Sequence, residues 1–117
     1  MARPFDFEDG VKKQARLRQF GLCAVCGDSM NDLYEHAHHV VPNQSGNSAI
    51  SAHTWLKGED NCVILCEDCH FIVHDSGRYQ NGAVAPPDYY KYSHGGHVVG
   101  HVMWVSDMNL KIKLFWP

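Results

Sequence analysis

The sequence has no long hydrophobic run. Nothing in it approaches the roughly 18 consecutive apolar residues that a membrane span needs, so a spanning helix is not expected. The opening stretch MARPFDFEDG lacks the apolar centre of a secretory signal. A cytoplasmic location with reduced thiols is the resulting expectation. Internal repeats and low-complexity segments are also missing. Positive charge is scarce: ten Lys and Arg face 13 Asp and Glu, for a net charge of −3. That balance speaks against a protein that holds nucleic acid by charge alone. The shortage is sharpest over residues 21–77. There Lys57 is the only cation, against Asp28, Asp32, Glu35, Glu59, Asp60, Glu67, Asp68 and Asp75. A region this acidic binds phosphate poorly unless cations are added, and bound metal ions are the obvious source.

What remains is ordinary in bulk, 44% hydrophobic and 20% charged over 117 residues, which predicts one globular domain. A chain this short buries only a modest core, and a metal staple would help it fold. The unusual content is nine histidines and five cysteines. Four cysteines form two C-x-x-C pairs, Cys23/Cys26 and Cys66/Cys69, with 39 residues between them. Two thiolates three positions apart can grip one ion from a tight turn. Four sulfurs close a tetrahedral Zn²⁺ shell and leave no open position, so such a site contributes folding energy and no chemistry. The other readings are a disulfide pair, a redox C-x-x-C or buried free thiols. A reducing compartment disfavours the first, and a redox motif is normally one pair. Gly27 fits a knuckle that needs positive φ. Cys62, in the apolar run CVIL, reads as a buried thiol.

Along the chain, residues 8–20 predict a basic helix, with Asp9 as a cap and Gly21 at the C′ position. Residues 21–30 predict a knuckle turn, 33–41 a strand ended by Pro42, and 42–53 a polar loop. Residues 62–65 predict a strand, 67–75 a helix and 78–92 an irregular connection. Two further strands, 97–105 and 110–115, are expected to pair about a turn at Ser106–Asn109. The alternation Lys111, Ile112, Lys113, Leu114 motivates that hairpin.

The histidines lie between and just after the knuckles. His38 and His39 are neighbours on a strand, so they point to opposite sides. His70 and His74 stand at i, i+4 on the second helix and share a face. Cys69 is turned about 100° from His70, so one helix can serve two metals. Hydrolysis of a phosphodiester needs a base on one side of phosphorus and a Lewis acid on the other. Histidine has a suitable pKa for the base, and a three-ligand metal keeps positions open for phosphate and water. Each histidine taken singly also reads as an ordinary surface or core residue.

The pieces CAVCG at 23–27, HAHHVVP at 36–42, Asn61 before CVIL, and LCEDCHFIVH at 65–74 together resemble the zinc-stapled branch of the HNH endonucleases, the ββα-metal nucleases. The resemblance covers roughly residues 21–77. It implies an α+β single domain, residues 1–117, with a ββα-metal core stapled by the four cysteines. The flanking elements are then the N-terminal helix and the C-terminal β-hairpin. It implies His39 as general base, and His38, His70 and His74 as ligands of one catalytic divalent metal. Asn61 is implied as the residue that braces the loop and orients the base through backbone hydrogen bonds. The implied product carries a 5′-phosphate and a 3′-hydroxyl. Where many relatives have Asp, this chain has His38, and an all-imidazole site suits Mn²⁺, Ni²⁺, Co²⁺ or Zn²⁺ better than Mg²⁺.

His36 shares the strand side of His38, where it either assists the site or is simply exposed, the second being favoured. His94, His97 and His101 have the spacing of a further metal site, H-x-x-H-x-x-x-H, but glycines at 95, 96 and 100 leave them out of register, and surface or DNA-facing positions are the stronger expectation. The cluster Lys12, Lys13, Arg16 and Arg18 is the candidate DNA contact, since phosphate contacts supply most non-specific affinity. Double-stranded DNA is the expected partner, held by a monomer or weak homodimer that nicks one strand with low sequence specificity. The alternative is a zinc-ribbon-like nucleic-acid-binding module without catalysis, which leaves the histidines and Asn61 unexplained.

Overall fold

Strand β2, Cys62–Cys66, is the centre of the molecule: Cys62, Val63, Ile64 and Leu65 are all buried, on both of its faces. A strand covered on both sides reads as a continuous apolar run, and CVIL is one. The computed structural model describes residues 7–30, 35–41, 51–75 and 85–115, without the side chains of 51–53, 74 and 75. Among these residues the fold is α+β, with three α-helices and one two-stranded antiparallel sheet. Helix α1 is Asp9–Arg18, strand β1 is Glu35–His39, helix α2 is Glu67–Asp75 and helix α3 is Val98–Phe115. Helix α2 starts directly from the end of β2. No described helix is long and apolar enough to cross a membrane.

The register sets Ala37 opposite Ile64, His38 opposite Val63 and His39 opposite Cys62. Side-chain alternation then gives the sheet two faces. Cys62 and Ile64 pack with Phe7 and Ala15 beneath α1. Val63 and Leu65 pack with Cys23, Cys69, Tyr90, Trp104 and Met108 on the other side.

Polar side chains tie α1 to the sheet. Gln19, fully buried, donates from Nε2 to the Ile64 carbonyl at 2.9 Å and accepts the Ile64 N–H at Oε1 at 2.8 Å. Its amide imitates a further strand on the open edge of β2, where the Ile64 N–H would otherwise be unpaired; the Ile64 carbonyl also accepts the Ala24 N–H at 3.1 Å. The helix end differs from expectation by one residue. Phe20 takes the left-handed position with φ 55°, and Gly21 follows at φ 72°. The bonds Gly21 N–H to Arg16 C=O and Phe20 N–H to Leu17 C=O are those of a Schellman motif. At the other end Glu8, not Asp9, is the cap, and it makes no side-chain cap bond.

The expected C-terminal hairpin is wrong: residues 98–115 form one helix of 18 residues. The four-residue alternation at 111–114 is local, whereas His97, His101, Trp104, Met108 and Lys111 recur at helical spacing across the whole segment. Trp104 and Met108 are buried. The Trp104 indole N–H donates to the Asp60 carbonyl at 2.8 Å, and Lys111 pairs with Asp60 at 3.0 Å and with Asp107 at 3.1 Å. Tertiary anchors at one face of α3 therefore decide the conformation. The expected polar loop over 42–53 ends in a 3-10 turn, Ser51–Lys57, and residues 42–50 lie outside the described residues.

Candidate functional site

The first C-x-x-C is shaped by its backbone. The Cys23 N–H donates to the Asp28 carbonyl and the Gly27 N–H to the Cys23 carbonyl, both at 2.9 Å. Gly27 has φ 77°, and a Cβ there would lie 2.8 Å from the Tyr92 ring, so both conformation and space require glycine. The second pair spans the junction of β2 and α2. Together the four Sγ atoms lie within 4.8 Å of one another, with Cys26 and Cys66 at 4.0 Å. Zinc–sulfur bonds of about 2.3 Å in a tetrahedron set the sulfurs about 3.8 Å apart, so the cluster has the size of a zinc site. Among the described residues it is the only group of three or more such ligands close enough to hold an ion.

The thiols feel their crowding. Cys26 is exposed as a residue, yet partial desolvation among the other sulfurs, then the neighbouring Cys23, pushes its thiol up to about 11, against a backbone N–H of Asp28 that favours the thiolate. Burial also raises Cys69, assisted by the sulfurs of Cys66 and Cys23. For Cys23 burial acts upward but is outweighed by backbone N–H groups of Cys26, Cys66 and Val25, which hold it below its ordinary value. A divalent cation in the centre turns this mutual repulsion into attraction. Cys62 lies on the other face of the sheet, where burial pushes it up to about 12; it is the buried thiol expected.

His36 and His38 of β1 meet His70 of α2 at one side of the sheet. His38 is 2% exposed, and its ring lies edge-on to that of His70 with centroids 5.5 Å apart. Its Nε2 lies 3.1 Å from the hydroxyl of fully buried Tyr90. His36 is half-buried and stacks on His70 at 4.8 Å, which corrects the expectation of an exposed residue. His39 faces away from His38 and stacks on Phe7 at 3.9 Å. An open groove of about 510 Å³ is lined by Phe7, Lys12, Glu35, His36, His39 and His70. The side chain of His74 lies outside the described residues.

Asn61 is fully buried beside this site. Its Oδ1 accepts the Val41 N–H at 2.8 Å, and its Nδ2 donates to the carbonyls of Val41 at 3.0 Å and Leu56 at 2.9 Å. The Val40 N–H donates to the Asn61 carbonyl as well. Thus one side chain clamps the chain immediately after His38 and His39.

Of the basic cluster, Lys12, Lys13 and Arg16 line a second groove with Asp9 and Glu35, continuous with the first through Lys12 and Glu35. Arg16 pairs with Glu35 at 3.3 Å. Arg18, expected with them, turns inward. It donates to the carbonyls of Ser93 at 2.7 Å, Glu59 at 2.9 Å and Cys62 at 2.8 Å. Those bonds spend most of its donors on three separate segments, so it is a structural tether. His94 and His101 both meet the hydroxyl of buried Ser93, at 3.0 and 2.9 Å, and His97 accepts the Gly100 N–H. Gln19, Tyr90 and Ser93 carry no sequence signature; their roles arise from long-range backbone and side-chain partners.

Over 62 residues the chain is 37% identical to the type IV methyl-directed restriction enzyme EcoKMcrA of Escherichia coli (strain K12), a match that takes in 48% of this chain and 20% of that enzyme. The chain therefore spans about a fifth of that relative's length. No family model and no solved structure matches it.

Proposed function

We propose that this chain is a metal-dependent DNA endonuclease of the HNH type. The carrying observation is that His39 of β1 and His70 of α2 line one groove edged by Lys12, while buried His38 lies edge-on to His70 behind it. The antiparallel strand pair running straight into a helix supports it. So does the similarity to part of a restriction enzyme.

In this reading His38, His70 and His74 hold one divalent ion. Two imidazoles sharing an ion stand with centroids about 5 Å apart, and the 5.5 Å between His38 and His70 fits. Such an ion supplies Lewis acidity at a phosphate oxygen, and imidazole ligands favour Mn²⁺ over Mg²⁺. His39 accepts the proton of the attacking water. The new bond joins the water oxygen to phosphorus, and the bond to the 3′ oxygen breaks. Phosphate then stays on the 5′ end, and the 3′ oxygen leaves as a hydroxyl once protonated. Asn61 holds the backbone that carries the base, with its hydrogen bonds to Val41 and Leu56. Lys12, Lys13 and Arg16 contact phosphates of double-stranded DNA. With so few contacts, binding is weak, salt-sensitive and poor in sequence specificity, and one site per chain nicks one strand. The four cysteines hold Zn²⁺ as a staple.

The test is supercoiled plasmid incubated with the zinc-loaded chain and Mn²⁺, beside a His39→Ala variant and an EDTA control. Nicked circles from the wild type alone are expected. A folded, zinc-loaded wild type that binds DNA and leaves plasmid intact with every divalent metal replaces this reading with the non-catalytic binding module.

A further inference from the structure

One face of α3 packs on the domain through Trp104 and Met108, and the opposite face is apolar and open. Val98, Val99, Val102, Met103, Leu110 and Leu114 are each 54–71% exposed. They form a continuous stripe, because steps of three and four residues return to one side of a helix. An open groove runs along its middle, lined by Val102, Met103, Ser106 and Leu110. A soluble domain rarely leaves a contiguous apolar patch of more than a few hundred Å² in water unless something covers it.

We infer that the occupant is a second copy of this chain, whose α3 lies antiparallel on the first about a two-fold axis at Ser106. The stripe is self-complementary about that residue. Reversing the helix around Ser106 sets Val98 opposite Leu114 and Val102 opposite Leu110. Met103 then faces Asn109, and Val99 faces the aliphatic stem of Lys113. A two-fold interface demands this property, since each residue meets its mirror position on the partner. Ser106 on the axis is small and lets the helices approach. Charge points the same way. Lys113 is the only cation on the stripe, and Asp107 at its margin is held by Lys111 of the same helix at 3.1 Å, so the face offers nothing to nucleic acid or an anionic surface. Area is sufficient. Six such side chains leave roughly 100 Å² each in water. Pairing two copies can therefore bury up to about 1,200 Å² of these side chains, the lower bound of specific interfaces. The inference is independent of the nuclease reading.

The test is sedimentation velocity of the zinc-loaded chain over about 1–300 µM, the range in which weak homodimers form. Twice the 13.2 kDa chain mass is expected at the upper end. Val102→Glu and Leu110→Lys, each at an exposed position, should separately give monomers with unchanged zinc content and helicity. Mixing the two variants should restore dimers. One end of the mixed pair sets the introduced carboxylate against the introduced ammonium, and the other keeps Val102 on Leu110. A wild type that stays monomeric throughout overturns the inference. So does a dimer that survives both single variants, or a mixture that fails to associate. A dimer that leaves plasmid DNA intact counts against the nuclease reading and leaves this one standing.

Discussion

The Tyr90 hydroxyl lies 3.1 Å from Nε2 of His38, and both side chains are shut away from solvent. A ligating imidazole uses one ring nitrogen and depends on a partner that holds the other. In the proposed site Tyr90, brought from 52 residues downstream, would be that partner, and it packs in turn on Trp104 of α3. The C-terminal helix is thereby linked to the proposed metal ligand.

Tyr90→Phe keeps the ring and withdraws the hydroxyl. Mn²⁺ affinity, measured by titration calorimetry on the zinc-loaded chain, should fall about 10- to 100-fold. Stability should fall by only about 1 kcal/mol, the net worth of one hydrogen bond. Unchanged Mn²⁺ affinity would show that the Tyr90 hydroxyl does not orient His38 toward a metal.

Asn61→Ala removes three buried hydrogen bonds and leaves the Val41 N–H and C=O and the Leu56 C=O without this partner. Urea unfolding should register a loss of about 3 kcal/mol. Asn61→Asp keeps the acceptor but turns a carboxylate toward two carbonyls, and should be no better than Ala at neutral pH. A stable, active Asn61→Asp protein contradicts the clamp.

Lys12→Ala and Arg18→Ala should separate cleanly. The first leaves unfolding unchanged and weakens DNA binding, with the slope of log affinity against log salt reduced by about 1. The second breaks bonds to Ser93, Glu59 and Cys62 and should cost about 3 kcal/mol of stability. A DNA-binding defect in Arg18→Ala without destabilisation would return Arg18 to the surface.

Elemental analysis should find one zinc per chain at the cysteine cluster. Cys26→Ser alters the exposed ligand and should lower zinc occupancy, and stripping the metal should abolish cooperative unfolding, because the site's binding energy is folding energy. Zinc-free protein with an undiminished melting transition contradicts the staple.

Burial, with Arg18 and His101 nearby, holds His94 down at about 4, against an ordinary value of 6.5. Its folded pKa is depressed, so the unfolded chain binds the proton more readily between those values. Stability is present above about pH 6.5 and is lost as pH falls toward 4. His94→Asn should flatten that part of the profile in urea unfolding followed across pH 4–7. A profile identical to wild type would assign the acid sensitivity elsewhere.

Several features were legible because they depend on short spacings. The C-x-x-C pairs announce a metal knuckle, Gly27 its positive φ, and CVIL a short apolar strand. His38 and His39 on opposite sides follow from strand alternation alone, and the helix at 67–75 from its acidic start and the glycine that follows it. Element ends were less secure. Phe20 occupies the left-handed position expected of Gly21, since the Schellman bonds and Gln19's grip on Ile64 fix where α1 stops.

Other features belong to the tertiary structure. The segment 98–115 carries both a local two-residue alternation and a longer helical period, and local pattern cannot choose between them. Trp104 on the Asp60 carbonyl and Met108 in the core choose the helix. Arg18 and Lys12 are alike in sequence, yet one is drawn inward by three carbonyls and the other stays at a groove. No spacing foretells Tyr90 at His38, or Gln19 on the edge of β2. Sequence by itself determines periodicity and the chemistry of each side chain. Only the packed chain decides which distant groups meet, because burying a polar group demands a partner, and that partner can come from anywhere along the chain.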